Sequence, residues 1–404
     1  MKIPFSPPYI DETVKREVIE SLESGWITTG PKVKALEQEL CKYTSAEAAL
    51  CVNSATSGLM LALHWFGIKQ GDEVIIPAYT YCATALAVIH AGGIPILVDI
   101  DEDFNISLQH IERAITNKTK VIIPVDIAGW PCDYDEIYKI VNNPVIKSKF
   151  HPETEAQLKL GRVLILSDAA HSFGAVYKDS RTGSLADITV FSFHAVKNIT
   201  TAEGGAVVLN LPTLFDNKQV YNTLRLWTLN GQTKDAFTKT TAGGWKYDIV
   251  YPGFKINMPD VCAAIGLAQI RRYDQLLDSR KEIFHFYNDF FLKQPWAIQP
   301  QYAVETSHSS CHIYPLRIKN ATETERDKII ERITEEGVAV NVHFIPLPML
   351  TVFKDKGSHI TDFPTAYAMY CNEISLPVYP GLNNIQLEYV VKAVKGAVNE
   401  VLNG

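Results

Sequence analysis

Lys197 stands in the stretch Asp187 to Asn210, DITVFSFHAVKNITTAEGGAVVLN, between the apolar runs Ile188–Phe193 and Ala206–Leu209. A lysine in a short loop between buried strands is costly to keep as a cation, so it neutralises or finds a partner. A neutral, positioned lysine amine can form a Schiff base with a carbonyl. The plainer alternative is a side chain that reaches solvent or a surface ion pair. Three other constellations could work with such an amine. Asn53-Ser54-Ala55-Thr56-Ser57-Gly58 opens a helical segment after an apolar run. Unpaired N–H groups at a helix start suit a phosphate, although Ser and Thr there are also ordinary caps. Ser167-Asp168-Ala169-Ala170-His171 puts a carboxylate directly after a strongly apolar strand, where it must be paired to be tolerated. A helix cap or a buried ion pair would serve that need too. Tyr81, in PAYTYCATA after DEVIIP, offers a ring face for stacking or for simple packing.

The segment FSFHAVKNITTAEGG and the motifs around it resemble those of the DegT/DnrJ/EryC1/StrS family of pyridoxal-phosphate-dependent sugar aminotransferases. The resemblance runs along almost the whole chain, with the motifs in the family's order. It implies an α/β protein of the aspartate-aminotransferase fold, PLP fold type I. Such a fold has a large domain with a mostly parallel seven-stranded sheet sandwiched by helices, and a smaller C-terminal α+β domain. It also implies that Lys197 carries pyridoxal 5'-phosphate covalently. Thr56, Ser57 and Ser192 would hold the phosphate, and Tyr81 would stack on the pyridine ring. Asp168 would keep the ring nitrogen protonated, and His171 would support the ring oxygen or Asp168.

Further carry-overs are substrate-side or cross-subunit. Pro252-Gly253-Phe254-Lys255-Ile256-Asn257-Met258 corresponds to a segment that reaches the neighbouring subunit's cofactor. The resemblance therefore implies a homodimer with a shared site, to which Lys255 and Asn257 contribute. Many relatives carry asparagine where Lys255 stands and arginine where Asn257 stands. Lysine supplies a positive charge there with a different contact geometry. Trp26 and Thr28, in the loop Trp26-Ile27-Thr28-Thr29-Gly30, would meet substrate, as would His194 and His343 of Val342-His343-Phe344-Ile345-Pro346. Both histidines are also readable as satisfied structural residues.

The implied reaction moves an amino group from L-glutamate, which leaves as 2-oxoglutarate, to a nucleotide-linked ketosugar, in aminosugar and surface-polysaccharide biosynthesis. The GFKINM and VHFIP segments resemble the branch that includes C4 enzymes, which favours C4 over C3 of a ketosugar, and a 6-deoxy sugar is favoured because its C6 methyl would sit against Trp26 or Phe344. The alternatives are a C3-ketosugar aminotransferase, a pyridoxal-phosphate-dependent sugar dehydratase and a non-enzymatic regulator of the same fold. Dehydratase relatives replace the lysine with histidine, and a regulator would need a DNA-binding addition or loss of Lys197. A metal hydrolase built on Asp168, His171 and His194 lacks a convincing ligand set, so no metal is expected. Arg225 and Arg317 are candidates for the donor's carboxylate.

The elements that must position these residues read as follows. A chain of 404 residues has room for two or three domains with a sizeable core. The expected division is 1–258 for a large cofactor-binding domain with the N-terminal segment, and 259–404 for a linking long helix and a small domain. A net charge of −7 with interspersed signs argues against a nucleic-acid polymer as partner. No apolar run is long enough for a membrane span, and MKIPFSPPYIDETV is not a secretory leader. The seven scattered cysteines form no disulfide or zinc framework, which suits a reducing cytoplasm.

Seven apolar runs, at Ala49–Val52, Val74–Ile76, Ile94–Val98, Val121–Val125, Val163–Leu166, Ile188–Phe193 and Ala206–Leu209, alternate with helical segments. This alternation predicts a mostly parallel sheet covered on both faces. Ligands in such sheets sit beyond the strands' carboxyl ends, where Ser54, Asp168 and Ser192 fall. Residues 142–161 form a polar insertion whose role the pattern leaves open. A helix opens at Pro259 and runs to about Leu292. Beyond it come a strand over Cys311–Ile318, a helix capped by Thr322 and Glu325, a strand over Val338–Phe344, a strand over Ile374–Val378 and a final helix.

Overall fold

The computed structural model describes residues 1–233 and 246–403. Seven strands form the main sheet: β1 (Ala48–Val52), β2 (Glu73–Pro77), β3 (Ile94–Val98), β4 (Thr119–Ile122), β5 (Leu164–Asp168), β8 (Ile188–Ser192) and β9 (Gly205–Leu209). Two short strands, β6 (Val176–Tyr177) and β7 (Ser180–Arg181), make a separate hairpin. The order across the main sheet is β1-β9-β8-β5-β4-β2-β3. Only β9 runs against its neighbours, pairing antiparallel with both β1 and β8. The strands β1, β5, β8 and β9 are buried at every residue, as expected where helices cover both faces of a sheet. All seven strands expected from the apolar runs are present, β3 with the expected ends and the others with ends moved by at most three residues.

Two glycines let the helix that follows β1 approach this sheet. A Cβ on Gly58, in helix Ala55–Phe66, would lie 2.9 Å from Val190 and 3.1 Å from Val207. A Cβ on Gly205 would meet the Phe191 carbonyl at 2.6 Å and the Ala55 nitrogen at 2.7 Å. The first turn of the helix is thus pressed against the ends of β8 and β9.

A second, three-stranded sheet comprises β10 (Ala297–Ile298), β11 (Tyr314–Ile318) and β12 (Glu373–Leu376). It packs with helices Tyr273–Phe291, Glu323–Glu335 and Asn384–Asn403 around its own apolar cluster, which includes Phe284, Leu316, Ile329 and Val390. Thr322 and Glu325 close the expected capping box.

Two expectations are corrected. The helix opening at Pro259 is not continuous but divides into Asp260–Ile270 and Tyr273–Phe291. The break falls at Arg272, whose φ of −134° and ψ of 19° are not helical. There its guanidinium pairs with Asp11 and sits over the Tyr9 ring at 5.4 Å. The segment 338–344 is not a strand, because its pairing is limited to isolated bridges from Val338 to Ile3 and from Asn341 to Ser375. The insertion folds as helices Pro144–Lys149 and Glu155–Leu160. No helix among the described residues is long and apolar enough to cross a membrane.

Candidate active site

A cleft of about 450 Å³ opens where β1, β2, β5 and β8 end and β9 begins. Its volume lies within the roughly 300–1,000 Å³ of small-molecule sites. Ser54, Thr56, Tyr81, Asp168, His171, Ser192, His194, Lys197 and His343 all line it. All of these but His343, which comes from the segment bridged to β12, meet because they end or follow strands of the one sheet.

Lys197 is half-buried, and its backbone N–H donates to the His194 carbonyl at 2.9 Å. Burial brings its amine down from 10.5 to about 8, while the charge of Asp168 pulls the other way. A neutral fraction of about a tenth at pH 7, against well under a thousandth for an ordinary lysine, gives the amine the free lone pair that a nucleophile or general base requires. Asp168 ends β5 and is buried. Its Oδ2 accepts from Thr84 Oγ1 at 2.8 Å, and Oδ1 accepts from the Ala170 N–H at 3.3 Å. Burial raises its carboxyl despite these donors and the nearby Lys197. A cation brought to its free lone pairs would reverse that rise.

The anion end of the cleft is built by helix Ala55–Phe66. Ser54 Oγ caps the Ser57 N–H at 3.1 Å and donates to Ser57 Oγ at 2.9 Å. Ser54, Ala55 and Thr56 face the cleft, but Ser57 does not line it. Ser192 ends β8 beside them, and its Oγ accepts from the His194 N–H at 3.5 Å.

Tyr81 is 60% exposed, with its ring 5.7 Å from that of Phe344. His171 is buried, stacks on Phe344 at 5.6 Å and accepts the Ala128 N–H on Nδ1 at 3.3 Å. Burial and the neighbouring Lys197 push its basicity well below the ordinary histidine value, so it is a neutral ring. His194 stands at the rim, 3.6 Å from Glu203.

Besides Ser57, four expected residues lie outside this chain's cleft. Trp26 Nε1 donates to the Thr29 carbonyl at 3.2 Å, and the Thr28 carbonyl accepts from the Asp260 N–H at 3.2 Å. Asn257 Nδ2 donates to Thr29 Oγ1 at 2.6 Å, and Lys255 Nζ donates to Asn257 Oδ1. Lys255 is exposed. Arg225 and Arg317 line other depressions.

Other cleft residues were not anticipated. Thr84, buried behind the cleft wall, donates to the Asp168 carboxylate, and its only trace in the sequence is the spacing of four between Thr80 and Thr84. His312 lies 4.4 Å from His171 and is held by Asn198 Oδ1 at 2.8 Å from its Nδ1. Phe5 and Ser6, from the N-terminal segment, form part of the rim.

A depressed lysine and a buried carboxylate, at the ends of adjacent parallel strands and beside a helix start, define an enzyme site for amine–carbonyl chemistry. The comparisons narrow that class. A model of the DegT/DnrJ/EryC1/StrS aminotransferase family matches residues 8–148 and 153–395. SpsC of Bacillus subtilis, a spore coat polysaccharide biosynthesis protein, is 35% identical over 401 residues, 98% of this chain and 97% of its own. The structure of Spr1654 from Streptococcus pneumoniae, a putative sugar aminotransferase solved in PLP and PMP forms, superposes with a TM-score of 0.95. It is 42% identical, and the PMP-form alignment covers 100% of this chain and 99% of that one. Helicobacter pylori PseC, an aminotransferase involved in pseudoaminic acid biosynthesis, gives a TM-score of 0.87 at 27% identity over 99% and 100% of the two chains. The chain belongs to the DegT/DnrJ/EryC1/StrS aminotransferase family, and it is a transaminase of fold type I.

Proposed function

We propose that the protein transfers the amino group of L-glutamate to C4 of a nucleotide-linked 4-keto-6-deoxy sugar, supplying an aminosugar for a surface polysaccharide. The cofactor is pyridoxal 5'-phosphate, which when bound supplies an electron sink for the carbanion chemistry of transamination. The donor set fits that group. A helix start with Ser54, Thr56 and Ser192 suits its phosphate, and the free lone pairs of Asp168 suit a protonated ring nitrogen. Tyr81 and His171 offer ring faces, and Lys197 offers the amine that would hold it. The observation that carries the reading is Lys197, from the loop after β8, and Asp168, from the end of β5, meeting in one cleft.

Lys197 Nζ acts as the base that takes the proton from the glutamate α-carbon, and later delivers one to the sugar carbon gaining the amine. Its tether beside both carbons gives it the orientation advantage of an intramolecular group. Asp168 holds positive charge at the far end of the cleft. His343 and His194 face the sugar, and Phe344 packs against its C6 methyl, which is worth only about 0.8 kcal/mol. Residues 1–258 act as the cofactor-holding domain, and residues 259–404 close the cleft with His312, His343 and Phe344. Lys255, Asn257, Trp26 and Thr28 lie outside the cleft of their own chain, which supports a homodimer in which they serve the partner's site. Seven free thiols suit a cytoplasmic enzyme.

The names of SpsC, Spr1654 and PseC support a sugar acceptor and a polysaccharide role. The test is NMR of the products formed from matched 3-keto and 4-keto nucleotide sugars with glutamate. Amination of the 4-keto compound at C4 is expected; reaction of the 3-keto compound alone would overturn the C4 assignment.

A further inference from the structure

His343 is joined to a buried carboxylate that the proton transfers above do not use. Its Nδ1 lies 2.9 Å from Ser375 Oγ, and Ser375 Oγ lies 2.5 Å from Glu373 Oε1. The other carboxyl oxygen, Oε2, accepts the backbone N–H of His343 at 3.1 Å. Asn341 and Ser375 exchange backbone hydrogen bonds of 3.2 and 2.8 Å, which locks the histidine's segment against β12. Phe5 stacks on the imidazole at 5.4 Å and 21°. The ring is part of the cleft wall, and among the described residues nothing bonds its Nε2.

Glu373 is fully buried. The Arg326 guanidinium faces it from helix Glu323–Glu335, with Nη1 donating to the Glu373 carbonyl at 3.3 Å and the Tyr370 carbonyl at 2.7 Å. Tyr79, after β2, feels the Glu373 charge and has Tyr370 of helix Pro364–Asn372 beside it, while the Arg326 guanidinium also pairs with Asp327. Burial outweighs Ser375, the His343 N–H and Arg326, and pushes the carboxyl up to about 8. His343 faces Lys197 and His171; burial first, then the Lys197 charge, bring its basicity down to about 3, so the ring stays neutral.

A neutral ring has one N–H, and the relay decides where it sits. With Glu373 protonated, its O–H donates to Ser375 Oγ and Ser375 donates to Nδ1, leaving the proton on Nε2. With Glu373 ionised, Ser375 donates to the carboxylate, Nδ1–H donates to Ser375, and Nε2 becomes a bare acceptor. We propose that Glu373 is a positioning residue which, through Ser375, holds His343 in the Nε2–H tautomer and so makes it a hydrogen-bond donor to an oxygen of the sugar substrate. The donor role rests on the sugar-transaminase reading; the relay itself does not.

The experiment is two-bond proton–nitrogen correlation NMR on the full-length, cofactor-loaded protein carrying nitrogen-15 histidine, from pH 6 to 10. His343→Gln assigns the signal. The wild-type ring is expected as Nε2–H at pH 6–7, passing to Nδ1–H above about 8. Glu373→Gln should stay Nε2–H throughout, because the amide oxygen must accept the His343 N–H and the amide NH2 then faces Ser375. Ser375→Ala should lose the pH dependence. An invariant wild-type tautomer, or the same transition in Glu373→Gln, overturns the relay. In turnover, the wild-type KM for the ketosugar should rise about fivefold relative to Glu373→Gln between pH 7 and 9.5, one hydrogen bond's worth. The KM for glutamate should not diverge. A tautomer that follows Glu373 while His343→Gln leaves the sugar KM unchanged overturns the donor role. The spectra need no substrate, so failure of the ketosugar reading would appear in the assay alone.

Discussion

Thr84 Oγ1 donates to Asp168 Oδ2 at 2.8 Å, with Thr80 Oγ1 a further 3.1 Å behind it. This bond ties helix Cys82–His90 to the end of β5 and steadies a carboxylate that burial would otherwise neutralise. Thr84→Val should keep the cofactor and lower kcat roughly tenfold, the worth of a hydrogen bond to a charged group. Asp168→Asn should lose most of the rate while retaining cofactor, and Ser192→Ala should mainly weaken retention. Cofactor content and kcat measured together decide this. Normal turnover in Asp168→Asn would refute the role.

Borohydride reduction of the loaded enzyme should fix a pyridoxyl group on Lys197. Peptide mapping that finds the label elsewhere would defeat the assignment. Lys197→Ala should bind the cofactor without a covalent link and transfer essentially no amino groups.

The lowered basicity of Lys197 predicts a pH signature in the cofactor-free protein. Falling from 10.5 to about 8, the group holds roughly 300-fold more neutral amine at pH 7 than an ordinary lysine. Its rate of modification by a small amine reagent should rise with pH to a midpoint near 8. A midpoint near 10.5, read by mass spectrometry at Lys197, would contradict the burial argument. By linkage the same group makes stability rise between about pH 8 and 10.5, where the unfolded chain holds the extra proton.

If Lys255 acts across a homodimer, Lys197→Ala chains mixed with Lys255→Ala chains should regain activity after subunit exchange. Mixed dimers that form but stay inactive, from two normally folded variants, would count against a shared site.

The end of β5 depends on a buried ion pair at its far side. Arg162 grips Asp187 through two bonds of 2.7 Å, and Asp187 also accepts the Ile165 N–H at 2.9 Å. Asp187→Ala strands a buried guanidinium and should destabilise the fold by about 3–5 kcal/mol. Thermal unfolding of the cofactor-free protein checks it, and an unchanged Tm would show that the cation escapes to water.

Much of this was legible in the chain because it depends on local order. Unbroken apolar runs can persist as buried strands only inside a covered sheet, so the seven strands were readable from Val74-Ile75-Ile76 and its counterparts. Residues directly after those runs, Ser54, Asp168 and Ser192, had to fall at the sheet's ligand edge. The sequence alone also determined that Lys197 sits in a tight loop between two such runs. Tertiary structure decided whatever depends on partners distant in sequence. The helix after Pro259 breaks at Arg272 because Asp11 and Tyr9 wait there, more than 260 residues away. The segment 338–344 has the apolar content of a strand, yet packing gives it only isolated bridges. His343 turns to the cleft because Ser375 and Glu373 hold it, and Asp168 is steadied by Thr84 from the helix after β2. Hydrogen bonds between residues far apart in the chain leave no periodicity to read; only folding brings their donors and acceptors within reach.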